Sequence, residues 1–142
     1  MATSTYLSNC KVMIGATTAT VDISDQCQGA VVTIGYDQLS SDSYGKNYHS
    51  NVAGLQANEI TLDLYASFAA SETYATLKSL VGTGTVAITI TPDPVAAVSA
   101  TNPALTFREM FIASLPLTTA VGALGTYSIT ASGGSYTEDI TP

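Results

Sequence analysis

Charge is what this sequence has least of. Only 11% of its 142 residues are charged, against about a quarter in an ordinary soluble domain. Four of them are basic (Lys11, Lys46, Lys78 and Arg108), and the formal net charge is −7. Nucleic-acid affinity rests on Lys and Arg displacing counterions, so so few cations argue against DNA or RNA binding. An anionic surface instead lets a polyanion slide past without sticking. Histidine occurs once, at His49, and cysteine twice, at Cys10 and Cys27, without CxxC spacing. That is too little for a disulfide framework or a metal ligand set, and no metal or other cofactor is expected. The two thiols read as small apolar side chains, with a disulfide open to them only if their strands pair. No apolar run approaches the ~20 residues of a membrane span, so no membrane partner is expected. The start, Met-Ala-Thr-Ser-Thr-Tyr6, has no basic segment followed by an apolar one, which places folding in a cytoplasm.

Catalytic chemistry is equally short of parts. A serine or cysteine nucleophile needs a base within reach, and His49 lies in a polar stretch with no G-x-S-x-G elbow elsewhere. The acids Asp22, Asp25, Glu59 and Asp63 sit at turns or on polar strand faces, where a solvated carboxylate is the default. Gly82-Thr-Gly84 lacks the lysine and following helix of a phosphate loop. No catalytic residue is assigned, and the chain is not expected to be an enzyme.

What the sequence has is alternation. Hydrophobic residues make up 46% of it, enough for one domain with a real core. Thr, Ser, Ala and Gly stand where charge would normally be. Ile60, Leu62 and Leu64 alternate with polar neighbours over Glu59–Tyr65, and Val86, Ile88 and Ile90 do so over Thr85–Thr91. Further strands are expected at Lys11–Ile14, Thr20–Ser24, Gly29–Tyr36, Leu105–Ala113 and Thr126–Ala131, with Arg108 and Glu109 facing water. Ala70, Tyr74, Leu77 and Val81 follow helical spacing. A helix over Glu72–Val81, capped by Ser71 and ended by Gly82, is predicted. About seven strands and one helix give a mainly β fold, an antiparallel sandwich or barrel with one packed α-helix. The uncharged strands, Thr85–Thr91 above all, read as open sheet edges that invite pairing with other chains.

Two stretches stand outside that pattern. Residues 1–9 read as an arm with Tyr6 and Leu7 as anchors. Asp37–Val52 has neither period, and at about 16 residues it is longer than compact domains keep without a use. It nonetheless carries Leu39, Tyr44, Tyr48 and Val52 among its Ser, Asn and Asp residues. A loop meant only to stay solvated has no need of apolar anchors. Leu39, Tyr44, Lys46, Tyr48, His49 and Val52, with Tyr6 and Leu7, are the expected subunit-interface residues. From Gly133 onward the chain reads as a polar, acidic tail.

Four segments carry a resemblance. Thr20-Val-Asp-Ile-Ser-Asp25 precedes Val31-Val-Thr-Ile34. A polar loop then leads to Gly54-Leu-Gln-Ala-Asn-Glu-Ile-Thr-Leu-Asp-Leu64. Thr76-Leu-Lys-Ser-Leu-Val-Gly82 precedes Val86-Ala-Ile-Thr-Ile90, and Val121-Gly-Ala-Leu-Gly-Thr-Tyr-Ser-Ile-Thr130 closes the series. In this order they resemble the tail tube (major tail) proteins of long-tailed bacteriophages. The resemblance implies a structural virion protein, assembled in the host cytoplasm. It would form a homohexameric ring whose inner sheets join around a lumen, and rings would stack into a tube. Other tail proteins, the tape measure and the terminator, would be its partners, and genomic DNA would pass through without specific binding. Loop Asp37–Val52, with a reach of up to ~50 Å at ~3.3 Å per residue, would contact the next ring. Two other readings stay open: a capsid decoration or head–tail joining protein, and a carbohydrate-binding or adhesin module that stacks sugars on Tyr36, Tyr44 and Tyr48.

Overall fold

A computed structural model describes residues 10–70 and 72–141. Its centre is built by the two clearest alternations. Strand β6 (Glu59–Tyr65) buries Ile60, Leu62 and Leu64 and turns Glu59, Asp63 and Tyr65 outward. It lies antiparallel between β10 (Thr126–Ser132) and β3 (Cys27–Thr33). In the other half, β7 (Val86–Thr91) lies antiparallel between β1 (Lys11–Ala16) and β8 (Ala104–Ile112). Two-residue β2 (Val21–Asp22) borders β1, β9 (Leu117–Thr118) borders β10, and β11 (Ser135–Asp139) borders β8. The apolar faces of both halves merge into one core, in which Ile14, Leu62, Ile88, Phe107, Ile112 and Ile129 are essentially inaccessible. Burying each such side chain contributes roughly 1.5–3 kcal/mol. The fold is mainly β and antiparallel with one short helix, as the alternation implies.

Strand β8 joins the halves by bending. Its first part pairs with β11 over Ala104–Arg108, and its last residues, Phe111 and Ile112, pair with β10. Between them Glu109 takes φ 59°, and the burial order jumps from Phe107 to Met110. A non-glycine residue there, with the ladder register slipping beside it, is the signature of a bulge that re-aims a strand. Arg108 and Glu109 are exposed, as expected.

Several boundaries differ from the sequence reading, each for a physical reason. Strand β7 is interior and not an edge. Its want of charge reflects burial, and among the described residues the sheet path ends at β2 and β3. Only Val21–Asp22 of the expected Thr20–Ser24 strand is extended, because the Asp22 carboxylate accepts the Ser24 amide (2.9 Å) and hydroxyl (2.5 Å) and turns the chain. The strand expected over Gly29–Tyr36 starts at Cys27 and ends at Thr33. The polar stretch after Gly133 contains β11, held on β8 with the Tyr136 ring 5.1 Å from that of Phe107.

The helix α1 is short, Thr73–Leu77, and its inner face is not the expected one. Thr73 and Leu77 are buried and Leu80 follows them, while Tyr74 is 37% exposed. Hydrogen bonds rotate it. The Thr73 hydroxyl donates to the Tyr65 carbonyl (3.0 Å) and accepts the Ser67 amide (3.0 Å), and the Thr73 amide donates to Gln26 Oε1 (2.9 Å). A fully satisfied polar side chain thus replaces an apolar one at the buried position. Beyond Leu77 the chain unwinds through turns to Gly82, at φ 84°. Glu72 occupies the cap position without a side-chain capping bond; Ser71, the expected cap, lies outside the described residues.

Candidate assembly surface

The stretch expected to be an aperiodic loop is a β-hairpin. Strands β4 (Tyr36–Ser40) and β5 (Asn51–Gln56) pair antiparallel with each other and form a two-stranded sheet separate from the sandwich. Leu39 lies opposite Val52 and Gln38 opposite Ala53. Both members of the Leu39–Val52 pair are 52% exposed, so they meet each other and little else. Gly54 makes room beside them, since a Cβ there would sit 3.3 Å from Leu39 Cδ1 and 3.1 Å from Asp37 Cβ. Leu55 is 79% exposed and Tyr36 57%. A two-stranded ribbon is marginal alone in water, and this one leaves its apolar side chains uncovered.

Polar contacts close the tip. The Ser41 amide donates to the Ser50 carbonyl (2.8 Å), and the Ser50 amide donates to Asp42 Oδ1 (2.6 Å). The His49 ring nitrogen Nδ1 lies 2.9 Å from Asp42 Oδ2. These contacts, the His49 hydrogen bond first and the Ser50 amide second, hold the Asp42 carboxyl below its ordinary pKa. Lys46 Nζ donates to Ser50 Oγ (3.1 Å) and lies 5.8 Å from the centre of the Tyr48 ring. Tyr44 projects from the tip, fully exposed.

The hairpin therefore gathers six of the residues singled out from sequence. Leu39 and Val52 share its shaft, Lys46, Tyr48 and His49 brace its tip, and Tyr44 points away from it. Tyr6 and Leu7 lie outside the described residues. Sequence reasoning named Tyr36 only as a sugar-stacking residue, and it missed Leu55 on the same hairpin and Val31 (63% exposed) and Ile34 (47%) at and just beyond the outer strand β3. Cys10 and Cys27 are free thiols lining one cavity of about 130 Å³. Their segments do not pair, and burial raises the Cys27 pKa, which keeps that thiol protonated and inert.

The arrangement presents apolar and aromatic side chains on a projecting ribbon. No protein-family model matches the chain, and no curated protein matches it in sequence. Solved structures do. A chain of the SPP1 tail tube superposes with a TM-score of 0.68 at 15% identity, over 94% of this chain and 78% of that one. A chain from the tail of an empty gene transfer agent particle, refined with C6 symmetry, gives 0.68 at 8% identity over 98% and 100%. A chain of the sheath/tube terminator of the PVC extracellular contractile injection system gives 0.69 at 15% over 97% and 98%. The chain has the tail-tube fold. At such identities the likeness concerns backbone architecture, shared over 94% to 98% of this chain.

Proposed function

We propose that this chain is the subunit of a phage-type tail tube, a structural virion protein rather than an enzyme. Six copies form a ring, rings stack into a tube, and the hairpin of each copy docks on a copy in the adjacent ring. The observation that carries this reading is the isolated β4–β5 ribbon with its exposed Leu39–Val52 pair, on a sandwich whose fold recurs in tail and tube assemblies. A projecting ribbon of this kind gains stability when a second surface covers it. A copy of the same chain also offers Val31 and Ile34 at the unpaired side of β3, where a sheet edge without charge favours strand addition.

The remaining features agree with that role. A net charge of −7 keeps a lumen from trapping phosphate, so genomic DNA passes without specific contacts. Tube length and closure then fall to other tail proteins, a tape measure and a terminator. The protein assembles in the host cytoplasm and resides in the virion tail. The terminator chain of the same fold favours a second reading, a joining or terminating ring at one end of the tube.

Electron microscopy of intact particles with gold-labelled antibody against this chain tests both. Label along the whole tail supports the tube subunit, and a single band at one tail end supports the terminating ring. Label confined to the head, or particles without tubes, overturns both readings.

A further inference from the structure

We infer that Asn58, with Gln56, is a clamp that sets the angle of the hairpin on the sandwich and takes its reference from the C-terminal turn. The inference rests on the hairpin being an assembly element, and it concerns how that element is aimed. A two-stranded ribbon joined to a body by two short segments, Ile34–Gly35 and Ala57–Asn58, pivots freely unless something fixes its root. Within the ribbon the Ala57 amide donates to the Gly35 carbonyl (2.8 Å), which closes the root without orienting it.

Asn58 supplies the orientation. It is 2% exposed, the most buried asparagine among the described residues. Its Oδ1 accepts the Gly35 amide (3.4 Å), and its Nδ2 donates to Gln56 Oε1 (3.1 Å) and to the Gly134 carbonyl (3.3 Å). Its own carbonyl accepts the Gly133 amide (2.9 Å). Gln56 Oε1 in turn accepts the Tyr136 amide (3.0 Å). One side chain thus ties both ends of the hairpin to the turn between β10 and β11, across 76 residues of sequence.

That turn is itself immobilised. Gly134 has φ 71°, and a Cβ there would lie 2.2 Å from the Arg108 carbonyl oxygen and 2.9 Å from Met110 Cγ. The backbone is pressed into the β8 bulge, so the clamp reads its position from the strand that joins the two sheets. A shorter polar residue would not span Gly35 and Gly134 together, and a charged one would be buried without a counterion. An asparagine carries the one acceptor and two donors that the site uses.

The test is residual dipolar coupling of the full-length monomer in solution, with tube formation as a second readout. In the parent chain, amides of β4 and β5 fit the alignment tensor of β6 and β7. In Asn58→Ala they depart from it while the β6 and β7 amides keep theirs, and exchange of the Gly35 amide accelerates about tenfold for the lost bond. Should Asn58→Ala fail to fold, Gln56→Ala decides, because that side chain is exposed and lies outside the core; it is expected to give the same departure to a smaller degree. Hairpin amides that still share one tensor in Gln56→Ala, and in Asn58→Ala where it folds, overturn the clamp. A hairpin that swings while tubes elongate at the parent rate leaves the clamp standing and overturns the hairpin's part in assembly.

Discussion

Three large aliphatic side chains in each of two regions meet opposite fates in this molecule. In β6, Ile60, Leu62 and Leu64 are wholly inaccessible. In the hairpin, Leu39, Val52 and Leu55 are 52% to 79% exposed. Both are built of paired strands, β6 on two sides and each hairpin strand on one. The difference is the second layer: β6 has the β7 half of the sandwich behind it, and among the described residues the hairpin has none. Leucine on β6 therefore stabilises the fold, and leucine on the hairpin is free to stabilise an association. Covering an apolar ribbon with a partner releases the same water in either case.

The sharpest way to break that contrast is to remove one side chain from each. Leu62→Ala leaves a cavity in a packed core and should cost about 2–5 kcal/mol in urea unfolding. Leu39→Ala should change the unfolding free energy of the monomer by no more than about 0.5 kcal/mol while slowing or abolishing tube growth seen by electron microscopy. Comparable losses of stability in the two variants would mean the hairpin is packed against the body, and the contrast would be gone.

Gly134 tests the seam between the two regions. Its positive φ and its contact with the Arg108 carbonyl leave no place for a methyl group, so Gly134→Ala should destabilise by roughly 1–3 kcal/mol. Gly45 at the hairpin tip also has positive φ, but nothing lies within 4 Å of its missing Cβ. Gly45→Ala should thus cost about 1 kcal/mol or less, from backbone strain alone, and local to the tip. Thermal unfolding of the two variants checks the ranking. If Gly45→Ala is as damaging, the tip contributes to global stability and is not an appendage.

The same contrast explains what was legible beforehand. β6 and β7 announced themselves because a strand with one face in a core must alternate. The hairpin has no buried face, so nothing enforces a period of two, and Ser, Asn, Asp and Gly are tolerated throughout Tyr36–Gln56. Its strands became visible only through backbone pairing. Its anchors Leu39, Tyr44, Tyr48 and Val52 were legible as residues without a structural use. β11 escaped for the same reason as the hairpin, since Ser135–Asp139 has one anchoring ring, Tyr136, and polar neighbours. The helix was found inside the expected Glu72–Val81 but stops at Leu77 and is rotated, because a threonine that satisfies its hydroxyl with backbone atoms is indistinguishable from a surface threonine in sequence. The contacts of Asn58 left no signal at all: beside nearby Gln56, its side chain bonds backbone groups of glycines 23 and 76 residues away.

The smallest expected effect concerns acid. Two aspartates accept hydrogen bonds from a serine and are held below the ordinary value of 3.8: Asp22 on the sandwich, chiefly by the Ser24 hydroxyl, and Asp42 on the hairpin, chiefly by His49. A carboxyl whose folded pKa is depressed favours the folded arrangement fully above 3.8 and loses that contribution as pH falls through its lowered folded value. The Ser50 and Ser24 amides should therefore keep their hydrogen-bonded shifts at pH 3.8 and lose them only at lower pH, as each carboxyl is protonated, while amides of β6, paired on both sides, hold theirs. Asp42→Asn removes the charge and keeps an acceptor, so the Ser50 amide should become insensitive to pH in that window while Ser24 still responds. Loss of the Ser50 response in Asp22→Asn instead would show that the two turns are energetically coupled, and the hairpin would no longer be a separate region.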